Sequence, residues 1–187
     1  MSNKPIVTWY NATHSAEVAA PYDFNTIDAD TKGPIHIFNI WNNRYVVNKG
    51  TGVEDVAKME DCTITTRDMG NGTGDTPQYN IEVVKNNWFH AQVDSLSETD
   101  IDQDTSKIGK IASKPIGTTG KTTKKSDGSL YDTPRVPGAK EILGVSNNGT
   151  PTDAAGNYVT VSLRCAVPFD ASSGKQAFKL RVSYRYV

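Results

Sequence analysis

Four groups of residues have types and spacings that could do chemistry. Gly117-Thr118-Thr119-Gly120-Lys121-Thr122 has the look of a phosphate-binding loop. Such a loop needs a glycine five residues before the second one, and Pro115 stands there. It also needs a helix behind it to aim N–H groups at the phosphate. Thr122-Thr123-Lys124-Lys125-Ser126-Asp127-Gly128 has no apolar helical face, so a solvated polar loop is predicted. Asp100, Asp102 and Asp104 occupy positions one, three and five of a calcium loop. An EF-hand then requires glycine sixth and glutamate twelfth, where Thr105 and Ile111 stand. The EF-hand is excluded; these three carboxylates are kept as weak candidates for a looser metal site, against a hydrated acidic loop paired with the lysines that follow.

His14, His36 and His90 are far apart, and no pair has a metal-ligand spacing. Chain order alone admits a Ser-His-Asp triad, but no Gly-x-Ser-x-Gly elbow raises it. Cys62 and Cys165 each share the parity of apolar neighbours, which predicts two buried sulfurs. They could meet across a core, although two thiols over this length are no disulfide framework, and a cytoplasmic setting favours the reduced form. Trp9, Trp41 and Trp88 could be sugar platforms, yet all three lie in strand-like runs where core or rim packing is expected. The expectation is no cofactor and no enzymatic activity.

The elements that must position these groups are strands. Tyr158 to Val187 shows it best: Val159, Val161, Leu163, Cys165 and Val167 alternate with polar residues, and so do Phe178, Leu180, Val182, Tyr184 and Tyr186. A period of two is a strand with one buried face. Pro168 to Gly174 is a turn by composition, so the two strands are expected to pair as a closing hairpin. The other face of the last strand presents Lys179, Arg181 and Arg185, a candidate assembly surface if that strand lies at a sheet edge.

Upstream, Ile6–Tyr10, Ile35–Trp41, Asp61–Arg67 and Trp88–Ser95 read as strands, with Ile35–Trp41 apolar enough on both faces to be central. Ile81–Val84 and Ile142–Val145 are shorter strand candidates, and Val53–Met59 has near-helical spacing. Met69 to Asp75 is a glycine-rich loop. Residues 95–140 change character: an acidic block is followed by six lysines, with sparse, non-periodic apolar residues. That predicts a polar loop or arm, disordered or ordered by something else. With 187 residues, 36% hydrophobic content and a mean hydropathy of −0.51, a single domain (1–187) is expected: an all-β, antiparallel β-sandwich or barrel carrying that arm as an insertion.

A net charge of −1 offers no field for nucleic acid, and the lysines of 107–125 lack interleaved aromatics, so no specific nucleic acid is expected. Without eighteen consecutive apolar residues no membrane partner is expected either. The first ten residues lack a signal-peptide core, which predicts synthesis in the cytoplasm.

Four segments together carry a resemblance: Tyr22–Asp28, Ile37–Asn43, Cys62–Thr66 and Arg181–Val187. The chain resembles small structural proteins of tailed bacteriophages and prophages of Gram-positive bacteria, and Phe24–Thr66 is similar to immunoglobulin-like modules. The resemblance implies an immunoglobulin-like antiparallel β-sandwich and a virion component, either capsid decoration or a tail or baseplate element, made in the host cytoplasm. Its implied partners are other virion proteins and copies of itself, and it transfers no catalytic residue. The alternative, from another class, is a carbohydrate- or host-surface-binding β-sandwich module.

Overall fold

The computed structural model describes residues 3–69 and 81–186. Eleven strands are described: β1 (Val7–Asn11), β2 (Thr31–Lys32), β3 (His36–Asn42), β4 (Glu60–Asp68), β5 (Phe89–Val93), β6 (Lys107–Ile108), β7 (Lys114–Pro115), β8 (Thr122–Lys124), β9 (Leu130–Arg135), β10 (Tyr158–Val167) and β11 (Phe178–Arg185). One α-helical turn, α1 (Glu82–Lys85), and a few 3-10 turns complete the set. Every strand pairing is antiparallel. The protein is therefore all-β.

The first sheet runs β1-β3-β10-β5-β6, with β2 pairing the far end of β10. The second runs β11-β4-β7, and β8-β9 forms a separate ribbon. Strand β10 is central: Val159, Val161 and Leu163 are fully buried, and it pairs β3 on one side and β5 on the other. Its inward side chains meet Cys62, Ile64, Met59, Ile116 and Ile142 from the opposite layer in one core. A sheet buries its apolar face only by packing on another, and these two layers do that for each other.

The expected closing hairpin does not form. β10 and β11 belong to different sheets, and β11 pairs β4, with Val182 opposite Ile64 and Leu180 opposite Thr66. Residues 168–177 cross between layers about 10 Å apart, a distance ten residues span easily and a tight turn would not. Glu82 pins the crossing: its carboxylate accepts from Ser172 N at 2.9 Å and Ser172 Oγ at 2.6 Å. Gln176 Oε1 in turn accepts from Val83 N at 2.9 Å.

Two further expectations need correction. Ile81–Val84 is not a strand; Lys85 N and Asn86 N close a helical turn on Ile81 O and Glu82 O at 2.9 Å, burying Val83 and Val84. Four residues are too few for period two and period 3.6 to be told apart. Val53–Met59 is not helical, because its backbone donors go to distant chain: Val56 N to Gly144 O, Ala57 N to Asn3 O, Met59 N to Ile142 O. Of the glycine-rich loop, residues 70–75 lie outside the described residues.

The segment 95–140 is not an arm. Ile101, Ile108 and Ile116 are buried, the last two completely, while β6 and β7 add to the edges of β5 and β4. Glu98 and Lys114 form a 3.0 Å ion pair, and Glu98 also accepts from Val93 N at 2.8 Å. Each excursion of the chain sends one isoleucine inward, which leaves no periodicity to read. Among the strands described in this segment, β9 alone is exposed along most of its length.

Asparagines hold one end of the sandwich. Asn43 Nδ2 donates to Glu54 O at 2.7 Å and Gly144 O at 2.8 Å, while its Oδ1 accepts from Gly52 N at 2.8 Å. Asn157 Nδ2 donates to Asn42 O and Val145 O, and its Oδ1 accepts from Thr122 Oγ1 at 2.8 Å. Asn147 joins Asn43 O to Val145 O by the same means. Buried backbone groups outside regular ladders need partners, and a short amide with two donors and an acceptor supplies them.

Candidate functional site: a strand edge and a polar groove

Strand β11 lies at the edge of its sheet, and among the described residues β4 is its only strand neighbour. Its inward residues Phe178, Leu180, Val182 and Tyr184 pack on the core but stay half-buried. A single covering layer at a sheet margin leaves part of each side chain uncovered. Tyr186 continues the row at 43% exposure, with its ring centroid 6.3 Å from that of Tyr184.

The outward face carries all three residues singled out by sequence. Lys179 and Arg185 are exposed and Arg181 is half-buried. Lys179 stands opposite Arg67 in the register, so four basic side chains share this face. They are not bare charges: Arg185 pairs with Glu60 at 2.8 Å and Asp61 at 3.2 Å, and none of Arg67, Lys179 and Arg181 is without a partner.

The acidic triplet is dispersed. Asp102 accepts from Lys32 Nζ at 3.0 Å and from Arg164 Nη1 at 2.8 and 2.9 Å, and these cations hold its carboxyl below the usual range. Asp104 pairs with Lys107 at 2.7 Å, and Asp100 accepts from Asp102 N at 3.0 Å. No group of three metal-ligating side chains occurs among the described residues, so the looser calcium site is not assembled. The carboxylate nearest to such a site already has two cations of the protein's own.

The histidines are packed. His14 sits between Trp41 and Tyr158, with ring centroids 5.6 and 4.7 Å away, and its Nδ1 accepts from Trp41 Nε1 at 3.1 Å. Burial and the nearby Arg44 push its pKa down to about 4. Arg44 lies 4.0 Å over the Tyr10 ring and donates to His14 O at 2.7 Å. Tyr22 and Phe24 flank His36, whose Nδ1 is 2.8 Å from the Tyr22 hydroxyl. His90 is buried with Nδ1 3.0 Å from Ile101 O. Burial lowers the pKa of both.

Cys62 and Cys165 are buried and free, and burial pushes their thiols up to about 12 and about 11. Such thiols are poor nucleophiles and poor ligands at neutral pH. Trp41 and Trp88 are buried, at 0% and 7% exposure, and Trp9 is half-buried edge-on to Phe38. None of the three is an open platform.

The phosphate-loop lookalike lines an open groove of about 410 Å³, with the turn after β5 and the start of β10 as its other walls. Thr118, Thr119, Ser95, Thr160, Asp94 and Tyr158 face it. No lysine or arginine lines it, and β8 rather than a helix follows the loop, so phosphate has no partner here. Gly120 is needed for the wall: a Cβ there would come within 2.7 Å of the Ala155 Cβ and carbonyl oxygen. In the sequence this stretch has the character of a solvated loop, because its groove partners lie about 25 residues before it and 40 after it. A smaller cleft of about 140 Å³ lies beside Tyr10, Glu17, Arg44 and Lys49.

Comparison with protein-family models, with curated proteins and with solved structures finds no match. What the geometry defines is an all-β protein with a half-covered edge strand and a polar groove.

Proposed function

We propose that this chain is a non-enzymatic structural component of a tailed-phage virion, in capsid decoration or in the tail or baseplate, acting through contacts with copies of itself and with neighbouring virion subunits. The immunoglobulin-like character of the sandwich belongs to the same proposal. The observation that carries it is β11: an edge strand, half-covered on its apolar side, with Tyr186 exposed just beyond it. An open edge is where another chain can add a strand, and exposed apolar side chains beside it give that addition a hydrophobic return. Lys179, Arg181 and Arg185 on the outward face give a docking subunit carrying acidic residues its orientation. The sequence resemblance in Tyr22–Asp28, Ile37–Asn43, Cys62–Thr66 and Arg181–Val187 supplies the virion context.

The test is Arg181→Glu. The variant is expected to melt as the parent does and to enter particles, or self-associate, more weakly. Incorporation at parental level by a folded variant contradicts a role for this face.

A further inference from the structure

We propose that the groove between the turn after β5, residues 118–120 and the start of β10 binds one unit of a neutral saccharide. Its volume of about 410 Å³ suits a sugar ring. Its lining is four hydroxyls, a carboxylate and one aromatic ring, from Ser95, Thr118, Thr119, Thr160, Asp94 and Tyr158.

These groups are held in place before any ligand arrives. Ser95 Oγ accepts from Thr160 N at 2.7 Å, which leaves its own proton to donate. Thr160 Oγ1 donates to Asn39 Oδ1 at 2.7 Å and keeps its lone pairs for a ligand hydroxyl. Thr118 Oγ1 donates to Ala155 O at 3.2 Å and accepts from Gly120 N at 2.9 Å. Asp94 accepts from Gln92 Nε2 at 2.5 Å and Ser162 Oγ at 2.6 Å, one on each oxygen, and each oxygen retains a second acceptor position. The Tyr158 ring is fixed against Trp41, centroid to centroid 4.5 Å, and by His14 at 4.7 Å.

The ligand class follows by chemistry. An anion meets a carboxylate and no cation, so phosphate and sulfated sugars are disfavoured. An apolar ligand would strip water from hydroxyls and give nothing back. A cation would have a single carboxylate already occupied by two internal donors. A neutral polyol both donates and accepts, and its C–H face can lie on a tyrosine ring. The inference does not rest on the virion proposal, since the groove uses the β10 sheet and the assembly edge is β11 of the other sheet.

The experiment is amide chemical-shift titration of the full chain with methyl glycosides of glucose, galactose, mannose and N-acetylglucosamine, with inorganic phosphate in parallel. At least one glycoside is expected to shift the amides of Ser95, Thr119, Gly120 and Thr160 at concentrations up to about 10 mM. Thr119 is exposed at the groove mouth, so Thr119→Trp should fill the groove, keep the parental melting temperature, and weaken that binding at least about tenfold. Thr119→Val, which removes one hydroxyl without bulk, separates blocking from any misfolding of the larger variant by keeping most of the shift. Three results overturn the inference: no glycoside shifts those amides, phosphate shifts them instead, or a folded Thr119→Trp binds as the parent does.

Discussion

Asn43 satisfies three backbone groups from two stretches of chain, at Gly52, Glu54 and Gly144, none of them in a named strand. Asn43→Ala strands the buried Gly52 N–H and Gly144 carbonyl and strips a part-buried partner from the Glu54 carbonyl, and each buried orphan costs about 1–3 kcal/mol. The expected loss is about 3 kcal/mol or more by urea unfolding, with Asn43→Asp no rescue because it removes both donors. His14 gives the stability part of its pH dependence. The fold keeps the imidazole neutral, as acceptor from Trp41, with a pKa of about 4 against 6.5 for an unhindered histidine. The unfolded chain therefore binds the proton more readily between those values, and stability rises with pH there. His14's contribution is complete above pH 6.5 and is lost as pH falls toward 4; His36 and His90, also depressed by burial, add the same sign. The urea midpoint of His14→Gln should vary less with pH over that window than the parent's, and identical profiles would remove His14 from the account. The two cysteines should stay unreactive toward a thiol reagent at pH 8 until the chain is unfolded, given thiols held at about 12 and about 11.

Strand identity was legible wherever one face is buried over five or more residues. β10 and β11 largely follow their alternation, β3 is buried on both faces as its continuous apolar run implies, and Cys62, Ile64 and Thr66 of β4 share a buried face as their parity requires. Pairing was not legible. Composition marked 168–174 as a turn, but nothing local distinguishes a hairpin from a crossing between layers, since both need polar chain of similar length. The stretch 95–140 differs for a related reason: Ile101, Ile108 and Ile116 are buried by single visits to the core while Ile111 stays exposed, and its charges pair across sequence, as Asp102 does with Lys32 and Arg164. Ile116 tests this directly. Ile116→Ala should cost about 2–4 kcal/mol as a core truncation, measured by urea unfolding, whereas a change within about 0.5 kcal/mol would return the segment to the status of an arm. Of the candidate sites, the basic residues of β11 were readable because they lie on one strand. The groove was not, because its walls are brought together by the β10 and β5 pairing and by the contacts of residues 118–122 with Ala154 and Ala155.

At the scale of the molecule, two layers close the main core, and along β11 that closure is incomplete. Its four inward side chains are held on one side by β4 and the core, and each keeps part of its surface in contact with solvent. Val182→Asp introduces a carboxylate into that row opposite Ile64 and should destabilise the whole domain, since β11 has no other strand to hold it among the described residues. Arg181→Glu changes the outer face alone and should leave the domain intact. The most direct test of an assembly role combines sedimentation velocity over a range of concentrations with copy number in purified particles, for the parent and for Arg181→Glu. The account predicts that the parent associates or enters particles in defined numbers and that the folded variant does so less. A parent that stays monomeric at every concentration and is absent from particles would contradict it.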